Sequence, residues 1–160
     1  MDLATFGGGC FWGVEHLFRQ QRGVFDVTCG YMGGCVPNPS YEEVCTGQTA
    51  HAEVVQIRFD PAIVSYEELL HIFWNNHDPT TPNRQGADVG TQYRSIIFFD
   101  SPEQEHSARR ILQTLEEEHR FPAPITTHLC PAQNFYPAEE YHQRYFEKNP
   151  DKIACRLKEK

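Results

Sequence analysis

Apolar residues along this chain recur with two periods, and those periods lay out its elements. Alternation marks strands. In "FDVTCGY" Phe25, Val27, Cys29 and Tyr31 share one side, and in "AEVVQIRF" Val55, Ile57 and Phe59 oppose Val54, Gln56 and Arg58. "DLATF" is a short strand ended by glycines, and "RSIIFF", apolar on both faces, predicts a central strand. A helical period follows from Cys10: Cys10, Val14, Leu17 and Phe18 fall on one face, with Trp12, Glu15 and Arg19 turned away from it. Ser65 and Glu68 form a capping box ahead of the stripe Tyr66, Leu69, Leu70, Phe73 and Trp74. Ser101-Pro102 opens a helix that buries Ala108, Ile111, Leu112 and Leu115. "ITTHLC" predicts one more strand and "AEEYHQRYFEK" a last helix.

The first six elements run β-α-β, β-α-β. That order predicts an α+β fold: a two-layer sandwich with a ferredoxin-like (split βαβ) core and a mixed sheet. A chain of 160 residues is expected to form one domain, 1–160, with 143–160 as an extended, mobile C-terminal tail. Two connections, 32–51 and 75–93, are too long to be turns and are rich in Gly, Pro, Asn and Asp, which reads as functional loops. In the first, Ser40 and Glu43 cap a single helical turn, "YEEVC", closed by Gly47.

Composition narrows the function classes. A net charge of −8, with no Lys/Arg cluster among aromatics, argues against a nucleic-acid partner. No apolar run approaches the ~20 residues that span a bilayer, so no membrane partner is expected. The start "MDLATFGGG" has neither a basic nor an apolar signal region, so no secretory signal is expected. Six cysteines, at 10, 29, 35, 45, 130 and 155, include no C-x-x-C pair and no zinc-like Cys/His spacing. A cytoplasmic protein with reduced thiols and no metal is expected.

The candidate chemistry starts in "GGGCFWGVE". Amides at a helix start favour a thiolate by about 0.3–1 kcal/mol, a modest activation, so Cys10 reads equally as a nucleophile or as a small packed residue. Trp12, off the apolar stripe, reads as a binding surface or as an aromatic covered by a loop. Glu53 shares parity with Val55, Ile57 and Phe59. It is a general-acid candidate if its carboxyl lies inward, and a solvent-facing strand end if not. Cys10 with His51, or with His77 and Asp78, would instead suit a cysteine hydrolase. A third reading is a binding module whose cysteines only pack.

Four motifs, "GGGCFWGVE", "GYMGGCVPNPSYEEVCTGQTAHAEVV", "WNNHDPTTPNRQGADVGTQYRS" and "PAQNFYPAEEYHQRY", resemble the A-type peptide methionine sulfoxide reductases over roughly residues 6–150. The resemblance implies that Cys10 attacks the sulfoxide sulfur and that Phe11 and Trp12 hold the substrate methyl group. It further implies that Glu53 protonates the oxygen, that Tyr41 and Tyr93 hydrogen-bond to it, and that Asp88 helps bind substrate. Cys10 would become a sulfenic acid, and a second thiol would condense with it to a disulfide. Cys155 in the tail is the favoured second thiol and Cys35 its rival. The implied substrates are oxidised proteins or peptides and free methionine S-sulfoxide, and the implied reductant is thioredoxin or a similar dithiol. No cofactor and a monomer are expected.

Overall fold

Six strands form one mixed sheet in the order β7-β6-β1-β3-β2-β8. The structure, a computed structural model, describes residues 2–151, so Cys155 lies outside the described residues. The strands are β1 (Asp2–Gly7), β2 (Val24–Met32), β3 (Ala52–Phe59), β6 (Ile96–Phe99), β7 (His128–Pro131) and β8 (Tyr136–Pro137). All neighbours are antiparallel except β6 and β7, which are parallel. Two further short strands, β4 (Arg84–Gln85) and β5 (Asp88–Val89), pair as a hairpin inside the second long connection.

Helices α1 (Phe11–Arg19), α3 (Tyr66–Asn75) and α4 (Pro102–Glu117) lie against one face of the sheet. Their Phe18, Leu69, Leu70, Phe73, Ala108 and Ile111 join Phe6, Val55 and Ile57 of the strands in one buried cluster. The starts of α3 and α4 carry the expected caps, Ser65 with Glu68 and Ser101 with Pro102. The opposite face holds a smaller cluster, Met32, Ala52, Val54, Ile96 and Phe98, against which Cys130, Ala132 and Phe135 pack. The first half of β3 is therefore covered on both sides, while Gln56 and Arg58 continue its second face toward solvent. The short helix α2 (Tyr41–Cys45) has the expected Ser40–Glu43 capping box and ends before Gly47. Among the described residues no helix is long and apolar enough to cross a membrane.

Three sequence expectations change. A register shift between Val24 and Asp26 leaves Phe25 57% exposed, while Val27, Cys29 and Tyr31 keep the inward side. Helix α1 buries Phe11, Glu15 and Phe18, and Val14 and Leu17 are only half-buried. The predicted last helix is broken. A 3-10 turn at Glu140–His142 leads into Gln143 and a left-handed Arg144 (φ 56°), and α5 (Tyr145–Lys148) is a single turn.

Of the expected tail from 143, the first described residues are docked. The side chain of Gln143 accepts from the Cys29 N–H and donates to the Cys29 carbonyl, both at 2.9 Å, and Phe146 is buried. The same docking explains the rotation of α1, since this segment covers the side of the helix where Glu15 lies.

Candidate active site

The glycine turn places the thiol by close approach. A Cβ on Gly7 would lie 2.8 Å from the Glu53 carbonyl oxygen, so only glycine lets β1 run this tightly against β3. Gly9 takes a left-handed φ of 93°, and its N–H donates to the Tyr93 carbonyl at 3.2 Å. Cys10 follows as the N-cap of α1, half-buried, where first-turn amides and the helix dipole favour an anion.

Glu53, the second residue of β3, is 1% exposed, so its side chain lies inward as strand parity predicted. Its Oε1 accepts the Phe11 main-chain N–H at 3.2 Å. Tyr31 stands opposite Glu53 in the β2–β3 register. Tyr41 is set by the α2 cap, and Tyr93 ends a 3-10 turn at Thr91–Tyr93. Burial pushes both phenols well above the ordinary tyrosine range, and the neighbouring Glu53 adds to it. Asp88 and Cys10 act on Tyr93 in the same direction. Cys10, Glu53, Tyr41, Tyr93 and Asp88 thus share one neighbourhood. The Cys45 thiol, one turn along α2, acts on the Tyr41 hydroxyl in that upward direction too.

The two aromatics after Cys10 differ. Phe11 is buried, with ring centroids 5.7 Å from Tyr31, 5.2 Å from His142 and 6.4 Å from Tyr41. Trp12 is half-buried. Tyr145 stacks on it at 3.7 Å and 8°, and its Nε1–H donates to His142 Nδ1 at 2.9 Å. Trp12 is therefore both covered on one side and partly open. Burial lowers the pKa of His142, which keeps the ring neutral and its Nδ1 able to accept.

Sequence reasoning missed two carboxyl groups. Glu139 Oε1 accepts from the Tyr31 hydroxyl and its Oε2 from the Tyr41 N–H, both at 3.0 Å. Burial would raise its pKa, but these hydrogen bonds outweigh it and hold the carboxyl below the usual range. Glu15, expected on the open side of α1, is 1% exposed and accepts the Arg144 N–H at 2.9 and 3.0 Å. The available signal was positional: Glu15 lies four residues after Phe11 and three before Phe18, which are both buried.

The other sequence candidates separate cleanly. His51 Nδ1 accepts from the Gly34 N–H at 3.0 Å, and its Nε2 lies 2.7 Å from the Val36 carbonyl, so its ring pins the first loop. His77 Nδ1 lies 2.6 Å from the Phe73 carbonyl and its Nε2 2.8 Å from Ser95 Oγ. Both histidines order loops, which weakens the hydrolase reading. Cys35 is exposed on the pinned loop, and its Sγ lies 3.5 Å from the Thr49 carbonyl. Cys29 is fully buried, and burial followed by nearby Glu15 pushes its thiol up.

The class these features define is an α+β protein that sets a thiol beside a buried carboxyl at one end of a mixed sheet. A family profile described as "Peptide methionine sulfoxide reductase" matches residues 2–160, and the chain belongs to that family. It is 59% identical over 149 residues to the peptide methionine sulfoxide reductase MsrA of Methanothermobacter thermautotrophicus, covering 93% of this chain and 88% of that protein. It is similar in structure to Mxr1 of Saccharomyces cerevisiae in reduced form, with a TM-score of 0.86 and 40% identity over 93% of this chain and 86% of that one. It is also similar to Mxr1 in complex with Trx2, with a TM-score of 0.64 and 29% identity over 90% of this chain and 84% of that one.

Proposed function

We propose that this chain reduces methionine S-sulfoxide, peptide-bound and free, to methionine. The observation that carries the reading is the junction of Cys10 and Glu53: the residue after the thiol donates its N–H to the buried carboxyl. A sulfoxide sulfur is a poor electrophile until its oxygen gains a proton. A buried carboxyl holds its proton more firmly than one in water, which suits a general acid. Glu53 gives the oxygen its proton, with the Tyr41 and Tyr93 hydroxyls hydrogen-bonded to that oxygen. The Cys10 thiolate attacks sulfur, while Phe11 and Trp12 contain the methyl group and Asp88 holds the rest of the substrate.

The electrons balance over three steps. Methionine leaves with the sulfur's electron pair restored, and the oxygen remains on Cys10 as a sulfenic acid. Cys155 condenses with it, forming a disulfide and releasing water. A thioredoxin-type dithiol then reduces the disulfide and is itself oxidised. The complex of the yeast relative with Trx2 supports such a reductant.

The reading extends to the whole chain as one catalytic domain, acting as a monomer. The order β6-β1-β3-β2, with every neighbour antiparallel, supports a split βαβ core within a two-layer sandwich. Incubation with dithiothreitol and methionine S-sulfoxide should yield methionine. Turnover that survives Cys10→Ser would overturn the proposal.

A further inference from the structure

We propose that Glu15 and Tyr145 are positioning and specificity residues for the substrate wall, an inference that rests on the functional reading above. Glu15 is 1% exposed on α1, and a buried carboxylate is costly unless its oxygens are satisfied. Oε1 and Oε2 accept the Arg144 N–H at 2.9 and 3.0 Å, and Oε2 also accepts from Arg19 Nε at 3.2 Å. What Glu15 grips at the far end is main chain, not side chain.

The gripped residue is strained. Arg144 sits at φ 56° and ψ 38°, a left-handed conformation that a non-glycine residue adopts only at a cost. A charge-assisted hydrogen bond to its amide offsets that cost. The turn delivers the next residue, Tyr145, onto Trp12 with rings 3.7 Å apart and 8° from parallel. His142 holds the indole N–H on the other side of the same turn. With one ring face covered and its N–H tied, the indole keeps one orientation and one open face for a methyl group. Glu15 acts through Arg144 and Tyr145, and touches no substrate.

The test uses the full chain with dithiothreitol as reductant, so the disulfide step does not limit turnover. KM and kcat for methionine S-sulfoxide are measured with melting temperature and tryptophan fluorescence. Glu15→Leu, which leaves no acceptor for the Arg144 amide, Tyr145→Ala and Arg144→Pro, which lacks the N–H and cannot reach positive φ, should raise KM about tenfold with kcat changed less than about threefold. Tyr145→Phe keeps the stack and should restore the wild-type KM. Arg144→Gly keeps the amide, tolerates the left-handed turn, and should also restore it.

Loss of the Tyr145 cover should also shift Trp12 emission to the red. Should Arg144→Pro not fold, Tyr145→Ala carries the same test. A wild-type KM in folded Glu15→Leu and Tyr145→Ala would overturn the inference. A wild-type enzyme that leaves the sulfoxide unreduced would overturn the functional reading instead, and the fluorescence shift would still report the clamp.

Discussion

The main-chain N–H of Phe11 and the carboxyl of Glu53 meet at 3.2 Å, which ties the helix that carries the thiol to the strand that carries the acid. The spacing of Cys10 and Glu53 is thereby set by backbone and a buried side chain, with no flexible surface residue between them. Such preorganisation leaves little reorganisation for the reacting step.

Glu53→Gln tests the acid itself. The amide keeps the size of the side chain and an oxygen for the Phe11 N–H, but it has no acidic proton to give. Turnover should fall by about 10²–10⁴, the usual share of a general acid. Melting temperature should hold within a few degrees. An unchanged rate would remove Glu53 from the chemistry.

Tyr41→Phe and Tyr93→Phe test the hydroxyls. Each hydrogen bond contributes about 0.5–1.5 kcal/mol, so each variant should slow turnover about three- to tenfold. The pair together should cost more than either alone. Wild-type kinetics in the double variant would show that the phenols only pack.

Stability should fall on both sides of neutrality. Burial depresses the pKa of His142 from its ordinary 6.5, so its contribution is present above that value and is lost as pH falls. Glu139 is depressed below its ordinary 4.5, so its share is lost below that pH. Tyr41 and Tyr93 are raised above 10.0, so their contribution is lost as pH rises beyond it. Urea midpoints measured against pH should show these windows. His142→Gln should flatten the first step below neutrality, and an identical slope in the variant would refute its assignment.

Mapping disulfides after one turnover without reductant decides the second thiol. A Cys10–Cys155 bridge is expected, and Cys35→Ser should leave it intact. A Cys10–Cys35 bridge would overturn the choice of Cys155.

Gly7→Ala should destabilise the fold by about 1–3 kcal/mol, the range for overpacking. The added methyl would lie 2.8 Å from a strand carbonyl and 3.0 Å from Ile96. A wild-type denaturation midpoint would mean that β1 and β3 can move apart without cost.

Periodicity carried most of the regular elements because their side chains answer to one core. The Ser65 and Ser101 caps, the stripe of α3 and the inward parity of Glu53 are all local facts about a face. Residues serving a distant partner escaped that logic. Glu15 reads as polar surface until Arg144 covers it, and the final stretch reads as helix until Gln143 bonds to the β2 backbone instead. Phe25 obeyed alternation on paper, and a bulge turned it out. Of the candidate site, the thiol and the acid were legible as alternatives, and the clamp around Trp12 was not.

Trp12 and His142 lie 130 residues apart in the chain. At a synthesis rate of about 5–20 residues per second, the ribosome makes Cys10 and Trp12 on the order of ten seconds before the residues that enclose Trp12. During that interval Cys10 is a thiol at a nascent helix, and Trp12 has neither its stacking ring nor its hydrogen-bond acceptor. The order of manufacture leaves the surroundings of Trp12 incomplete until residues 142–145 are made, although Cys10 and Trp12 themselves are among the first.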